Sequence, residues 1–257
     1  MSLAEQGPPA PVPPHKPLTD YYGEDARRRR YVDELFDRSA HHYDTIERIF
    51  LNGGLLYRRV ALWRAGLRPG MKVLDVAIGT GAVAKGAVKL VGPTGKVFGI
   101  DPNRMMLGQA RKALNLPLTR GVAEHLPFPD GTFDFVTMGI ALRHVSDLVA
   151  TFKEYLRVLK PGGTLWILEG HVPTSRFGQR VTKFMWAKVI PGATLFFTRS
   201  QDAKLLMDYY WDTVEQCVPP QAILDAMKAA GFATPKYETW APGMVCEYKG
   251  KRPQPAR

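Results

Sequence analysis

Residues 73–81 read Val-Leu-Asp-Val-Ala-Ile-Gly-Thr-Gly, an apolar strand that carries one carboxylate and runs into a glycine-rich turn. The stretch that follows, residues 82–90, has the pattern of a helix, and a second apolar strand, residues 96–101, ends at Asp101. Ligands of open α/β sheets bind just beyond the carboxyl ends of the strands. The sequence therefore predicts a strand–turn–helix–strand unit in which Asp75 and Asp101 face one ligand.

The glycines of the turn favour close approach of a ligand to the backbone. Gly79 and Gly81 have no Cβ, so the chain can bend sharply and a ligand can lie against it. The following helix would direct its free N–H groups and the positive end of its dipole at that ligand. The turn also satisfies the looser dinucleotide fingerprint, and Asp101 lies about twenty residues on, where an NAD-binding acid bonds the ribose.

Asp75 distinguishes between these two ligands. A carboxylate beside the turn would repel a pyrophosphate, whereas it suits a ligand with an ammonium group, such as the methionine end of S-adenosylmethionine (SAM). We therefore expect SAM as the cofactor, with Asp75 at its amino end and Asp101 at its ribose. The alternatives are an NAD enzyme and a structural Asp75 that only caps the turn.

Two downstream passages resemble class I methyltransferases. Residues 124–134 are similar to their passage from the third to the fourth strand, and residues 156–163 to the helix before their fifth strand. The resemblance implies an α/β, Rossmann-like fold: a mostly parallel seven-stranded sheet with helices on both faces, an N-terminal helical cap and an aromatic insert after the fifth strand.

Over residues 31–250 the chain resembles, more narrowly, the quinone C-methyltransferases, which methylate demethylmenaquinone and the ubiquinone precursor. Further matching segments are Leu35-Phe36-Asp37-Arg38, Tyr43-Asp44, Ala141-Leu142-Arg143-His144-Val145-Ser146-Asp147, Leu168-Glu169 and Ala230-Gly231-Phe232. The resemblance implies an aromatic or prenylated small-molecule acceptor. It also implies these cofactor-binding residues: Asp75, Ala77, Gly79, Thr80, Gly81, Asp101, Pro102, Met106, Ala123, Glu124 and Met138.

Three positions depart from that family. Val122 stands where the family has an acid thought to touch the adenine amino group, and His144 replaces an asparagine after Arg143. Asp208 stands near an expected tyrosine. These changes bear on the identity of the acceptor more than on the cofactor.

Carbon methylation of a hydroquinone requires a phenol hydroxyl to lose its proton. His144 is our first candidate base, since an imidazole with a pKa of about 6.5 suits neutral pH. By resemblance, Arg143 would stabilise the phenolate, Tyr43 would face the acceptor, and Tyr210 would orient a hydroxyl. The alternative for His144 is a hydrogen-bonding wall residue. Other residues considered for roles at the acceptor are His171, His41, His42 and Asp208.

The predicted organisation is one methyltransferase domain, residues 25–250. It is preceded by a disordered Pro-rich segment and followed by a basic tail, residues 1–24 and 251–257. Within it we expect a cap, a cofactor-binding core, an acceptor-covering insert, and a last helix with two strands, at residues 25–66, 67–170, 171–220 and 221–250. The five expected core strands are 72–77, 96–101, 118–122, 134–138 and 164–169.

Composition narrows the class of protein. The chain is 45% hydrophobic, has no apolar run long enough to span a bilayer, and has two isolated cysteines. We expect a cytoplasmic enzyme without a metal. The net charge of +11, with Arg27–Arg30 as one cluster, leaves a solvated basic face, an anionic membrane surface at the inner membrane and nucleic acid as alternatives. The chain has no Pro-Cys dipeptide and no Asp/Asn-Pro-Pro-aromatic motif, which counts against nucleic acid.

Three functions remain open on this reasoning. The leading one is a SAM-dependent methyltransferase acting on a ring carbon of a quinone-like molecule. The second is an O- or N-methyltransferase of a smaller aromatic metabolite, which an imidazole base would serve equally well. The third is a SAM-binding protein with non-methylating chemistry. The sequence does not determine the oligomeric state.

Overall fold

The computed structural model describes residues 11–50, 54–240 and 244–255. Within them a single sheet has the strand order β3-β2-β1-β4-β5-β7-β6, with β1 to β5 parallel and β7 antiparallel to both of its neighbours. The predicted mostly parallel seven-stranded sheet is thereby confirmed. The strands are β1 (Lys72–Val76), β2 (Lys96–Asp101), β3 (Leu118–Arg120), β4 (Phe133–Gly139), β5 (Leu159–Gly170), β6 (Ala233–Trp240) and β7 (Val245–Lys251).

Helices cover both faces of the sheet because its central strands are apolar on both sides. One face packs against α3 and α4, and the other against α6 and α10. The α-helices are α1 (Thr19–Tyr22), α2 (Arg28–Phe50), α3 (Gly54–Ala65), α4 (Ala82–Val91), α5 (Arg104–Ala113), α6 (Leu148–Val158), α7 (Arg176–Phe184), α8 (Ile190–Thr198), α9 (Gln201–Glu215) and α10 (Pro220–Ala230).

The site is positioned by the reversal of strand order at β1. This strand pairs with β2 on one side and with β4 on the other, so its carboxyl end lies at the switch point where α/β proteins bind ligands. Asp75 pairs in register with Gly99 on one neighbour and with Thr137 on the other. The turn after β1 therefore opens between two strand ends.

The predicted cap and insert pack against each other. Leu35 and Ile46 of α2 share a buried cluster with Ile190 of α8 and with Leu206 and Met207 of α9. The insert, where the sequence shows no strand–helix rhythm, is helical, and a π-helical turn at Met185–Val189 joins α7 to α8. In the sequence, Asn52-Gly53-Gly54 predicts a break in the helical cap. Gly54 begins α3, and residues 51–53 lie outside the described part of the chain.

The prediction of disorder for residues 1–24 is wrong for residues 11–24. His15 and Tyr22 are buried, and the chain between them packs on the cap and the insert. Proline favours an extended chain, and such a chain is still ordered when its apolar and ring side chains find partners elsewhere in the fold. Residues 1–10 lie outside the described residues.

The predicted basic tail also begins inside the fold. Strand β7 continues to Lys251, and the half-buried Arg252 donates to the backbone carbonyls of Leu156, Arg157 and Leu159. The first bases of the tail thus complete the sheet and bond the junction of α6 and β5. Among the described residues, each helix is too short or too polar to cross a bilayer.

Candidate active site

A cleft lies at the carboxyl end of β1, beneath the cap and the insert. Its open space, which includes solvent at the mouth, is about 740 Å³. The core contributes its floor: Asp75, Ala77, Ile78, Gly79, Thr80, Ala82, Val83, Gly139 and Ile140. The cap and the insert contribute its roof: Tyr43, Ile46, Arg58, Trp186, Met207 and Tyr210.

Asp75 presents a carboxylate oxygen to this cleft. Its side chain is 1% exposed, and its Oδ1 accepts a hydrogen bond from Thr137 Oγ1 at 2.6 Å. Its Oδ2 has no hydrogen-bond partner among the residues that the structure describes. Burial raises the pKa of Asp75 to about 7, although the Thr137 hydrogen bond, the Ala84 backbone N–H and the Arg58 charge act in the opposite direction. Because a buried, unmatched carboxylate oxygen is costly, the site is suited to a cationic donor.

The turn after β1 has a left-handed backbone at three positions, of which only the non-glycine Ala77 is strained. Ala77, Gly79 and Gly81 have φ values of 52°, 56° and 90°, in the left-handed region. A Cβ on Gly81 would lie 2.5 Å from Leu114 Cδ1, a contact that a shift of the flexible leucine side chain relieves, so the positive φ is what favours glycine there. Gly81 caps α4, whose N-terminus therefore faces the ligand region, as predicted.

Asp101 lies behind the same turn. Its Oδ2 accepts from the Gly79 N–H and its Oδ1 from the Asn103 N–H, both at 2.8 Å. Burial raises the pKa of Asp101 to about 6. Asp101 does not itself line the cleft, although it contacts Gly79, which does. The two acids thus flank one turn, and the contact of Asp101 with the ribose stays a prediction.

Helix α2 covers the Asp101 end of the site through a residue that the sequence reasoning missed. Asn103 donates from Nδ2 to the Asp33 carbonyl at 3.1 Å and to Asp37 Oδ1 at 2.8 Å. Its Oδ1 caps α5 by accepting from the Met106 N–H at 2.9 Å. Asp37 belongs to the segment Leu35-Phe36-Asp37-Arg38, which resembles the quinone C-methyltransferases. That resemblance is the one sequence signal for this contact.

The chemistry of the cleft lining distinguishes SAM from a dinucleotide. The unpartnered Oδ2 of Asp75 requires a donor, and a cationic amino group supplies one. A diphosphate would instead place negative charge next to that buried carboxylate. The site therefore fits a nucleoside with an amino-acid end better than a dinucleotide.

The remaining predicted cofactor residues do not line the cleft. Met106 and Met138 are buried in the core, and Ala123 is nearly so. The Pro102 carbonyl accepts from Arg120 Nε, and Glu124 Oε1 accepts from the Ser146 N–H and hydroxyl. Their roles in adenine binding stay predictions.

Arg143 is held in a buried ion pair. Its Nη1 donates to Glu169 Oε1 at 2.6 Å and to the Ile140 carbonyl at 2.8 Å, and its Nε donates to Thr213 at 2.9 Å. Burial acts to lower the pKa of Arg143, but the Glu169 carboxylate outweighs it and the pKa is raised. The guanidinium carbon lies 4.1 Å from the centre of the Tyr210 ring. Arg143 therefore does not line the cleft itself, but it contacts Tyr210, which does.

Tyr210 and Trp186 form an aromatic wall. Their rings are stacked, with centroids 4.8 Å apart and an interplanar angle of 14°. Burial raises the pKa of Tyr210, so its hydroxyl stays protonated at neutral pH and can donate a hydrogen bond. The predicted inward position of Tyr43 agrees with its place in the roof.

His144 lies behind the wall, not on it. Its ring is edge-on to Phe36 at 5.6 Å and parallel to Tyr209 at 6.0 Å, and both ring nitrogens are buried without a hydrogen-bond partner among the described residues. Burial lowers the pKa of His144 well below its usual value, and Arg143 lowers it further. The geometry thus gives the proposed base no direct access to the cleft, and its catalytic role stays a prediction.

The other candidates near the acceptor also lie off the described cleft lining. Burial lowers the pKa of the half-buried His171, and Asp208 pairs with Lys204 at 2.6 Å. His41 is exposed and lies 3.4 Å from Gln109 Nε2, and His42 is half-buried. The sequence reasoning assigned no role to Thr137, Ile140 or Met207. Register with Asp75 across the sheet is the signal that marks Thr137.

The raised pKa of Asp75 predicts how cofactor affinity depends on pH. An ammonium group binds the carboxylate form, so affinity is full above about pH 7 and falls as the pH drops through that value. From about pH 7.5 to about pH 6, the dissociation constant of S-adenosylhomocysteine should rise on the order of eightfold. Calorimetric titration at constant ionic strength measures this. Asp75→Asn should show no such dependence, and a wild-type constant that stays flat would contradict the prediction.

The chain is similar to known proteins both in sequence and in fold. The model of the ubiE/COQ5 methyltransferase family matches residues 24–252. A ubiquinone/menaquinone biosynthesis C-methyltransferase of Saccharophagus degradans is 34% identical over 235 residues, covering 88% of this chain and 93% of that protein. A demethylmenaquinone methyltransferase of Symbiobacterium thermophilum is 34% identical, covering 88% and 94%. A solved SAM-dependent methyltransferase of Thermotoga maritima, described as a possible histamine N-methyltransferase, superimposes with a TM-score of 0.60 at 22% identity, covering 85% and 98%, which shows the fold.

Proposed function

The chain belongs to the ubiE/COQ5 methyltransferase family, and from that premise we propose that it transfers the methyl group of SAM to a ring carbon of a quinone-like, prenylated acceptor. The relatives named for ubiquinone, menaquinone and demethylmenaquinone support a quinone-like acceptor. Methyl transfer from a sulfonium is a displacement that needs alignment of donor and acceptor. The cleft can supply that alignment.

The aromatic roof over Asp75 is the observation that carries the proposal. Trp186 and Tyr210 present stacked rings, Ile46, Met207 and Tyr43 add to this cover, and Arg58 contributes a charge to it. A flat aromatic ring packs well against such a wall, and a few polar groups then fix its orientation. The roof thus supports an acceptor bound on the side of the cleft away from the glycine turn.

Bound SAM supplies an electrophilic methyl group, and the protein supplies its position. Asp75 would hold the amino end of the cofactor, and the N-terminus of α4 would lie against it. Tyr210, protonated at neutral pH, would donate a hydrogen bond to a ring oxygen of the acceptor. The aromatic cover would exclude water from the reacting groups. His144, which lies outside the cleft lining, is the sequence-based prediction for the base that removes the phenol proton.

Quinone analysis tests the proposal directly. Cells deprived of the gene should accumulate a lipid quinone that lacks one ring methyl group, measured by mass spectrometry of lipid extracts. The wild-type gene should restore the methylated quinone, and Asp75→Asn should restore it poorly, since the cofactor would be held weakly. An unchanged quinone pool, together with loss of methylation of a smaller aromatic metabolite, would contradict the proposal and favour an O- or N-methyltransferase.

A prenylated acceptor resides in a bilayer, so we also propose peripheral contact with an anionic membrane surface. The predicted contact through Arg27–Arg30 finds limited support in the structure. Arg28 turns inward, where its Nη2 donates to the Arg143 carbonyl at 2.9 Å and lies 3.2 Å from His15 Nε2. The remaining arginines of the run are exposed.

A further inference from the structure

The insert carries large apolar side chains that point into solvent. We name six of these residues the insert face: Phe177, Val181, Phe184, Met185, Phe196 and Phe197. Their exposed fractions run from 39% for Met185 to 80% for Phe177. Contiguous exposed apolar surface on a folded protein usually marks an interaction site.

Two parallel stripes run along α7. Phe177, Val181 and Phe184 are spaced four and three residues apart, so they lie on one side of the helix. A basic residue precedes each of them, which places a basic stripe beside the apolar one: Arg176, Arg180 and Lys183. The buried Thr182 faces the protein. A helix with an apolar stripe flanked by cations has the pattern that lies in the plane of a membrane interface.

The charge of the whole segment has one sign. Residues 171–200 contain five basic residues and no acidic residue. Lys183 is paired with Glu215 at 2.7 Å. The others make no ion pair within the described part of the chain: Arg176, Arg180, Lys188 and Arg199. Such a field attracts a negatively charged surface.

We propose that the insert face docks on an anionic lipid bilayer, with the phenylalanines in the interfacial region and the bases against lipid headgroups. This inference rests on the proposed function, which gives the docking its biological role. Trp186, which lines the cleft, lies between the exposed Phe184 and Phe196 in the same segment. Docking would therefore hold the cleft next to the membrane from which a prenylated acceptor is drawn.

Vesicle flotation of the full chain tests the docking surface. The wild type should float with phosphatidylcholine vesicles that contain about a third phosphatidylglycerol, less with phosphatidylcholine alone, and less at high salt. Phe177→Ser/Phe184→Ser should lower the partition coefficient at least about tenfold. Arg176→Gln/Arg180→Gln should lose the preference for anionic vesicles. Trp63→Ser is the matched control, because Trp63 is 55% exposed on α3, outside the insert, and it should bind as the wild type does.

Several outcomes would overturn the docking surface. One is a wild type that does not float with the vesicles. Another is a Phe177→Ser/Phe184→Ser variant that floats as well as the wild type. A third is a Trp63→Ser control that floats as poorly as the double variant. A wild-type dimer that the serine variant converts to a monomer, without vesicle binding, would assign the face to a second copy of the chain.

Methyl transfer to a short-chain, water-soluble quinol separates this inference from the proposed function. It should be equal in the wild type and both double variants. Vesicle binding without such transfer would refute the proposed function alone, and transfer without vesicle binding would refute the docking surface alone.

Discussion

Replacing Arg143 with methionine should lower the free energy of unfolding by about 3–5 kcal/mol, the range for a buried ion pair that loses one partner. Arg143 is 2% exposed, and Glu169, its partner, is equally buried. Methionine would fill part of the space but leave the buried Glu169 carboxylate without its counter-ion, with backbone N–H groups as its remaining partners. The charge would then have to be neutralised by protonation or remain at high cost. Urea unfolding, followed by circular dichroism, measures the loss.

The double variant Arg143→Met/Glu169→Gln provides the control. Removing both charges together should recover more than half of the lost stability, since no buried ion then remains unpaired. The Gly170 and Arg143 backbone N–H groups bond separate oxygens of Glu169, and the single amide oxygen of a glutamine can still accept one of these two bonds. A single variant that loses less than about 1 kcal/mol, the value of an exposed pair, would contradict the structural role assigned to this pair.

Replacing Asp75 with asparagine should weaken S-adenosylhomocysteine binding by about 1.5–3 kcal/mol, as expected for a lost hydrogen bond to a charged group. The amide keeps the shape of the side chain but removes the charge that faces the cleft. The same change should leave the stability of the free protein equal or higher, because burial already raises the pKa of Asp75 to about 7. Titration calorimetry and thermal unfolding of the same samples measure both effects.

Asp134→Asn is the matched control for this substitution. Asp134 lies at the amino end of β4, away from the switch point, and accepts from the Lys72 N–H and from Lys160 Nζ. Its replacement should leave cofactor affinity unchanged. Equal weakening by the two variants would show that general loss of acidic charge, not the position of Asp75, controls the affinity.

Features that depend on short stretches of chain could be predicted from the sequence. The strand with Asp75, the glycine turn and the helix after it are contiguous, and the structure places them as the spacing indicates. Alternating apolar strands and helices likewise predicted the parallel sheet, because each strand is buried on both faces. The same reading of the sequence predicts two closing strands near residues 234–240 and 243–248 as an antiparallel edge pair.

Features that depend on contacts between distant residues could not be predicted. Asn103 bonds Asp37, which lies 66 positions earlier, and this contact decides how α2 covers the site. The direction of the His144 ring was equally hidden, because it depends on packing against Phe36 and Tyr209. The order of residues 11–24 follows from similar long-range contacts, while their proline content suggested disorder.

The position of the amino end of the cofactor against Asp75 is tested most directly by a calorimetric cycle. S-adenosylhomocysteine and its analogue without the amino group would each be titrated into the wild type and into Asp75→Asn. The structure predicts that loss of the amino group weakens binding to the wild type by about 1.5–3 kcal/mol and hardly changes binding to the variant. An equal loss in both proteins would show that Asp75 does not hold the amino group, and would contradict the cofactor site described for this fold.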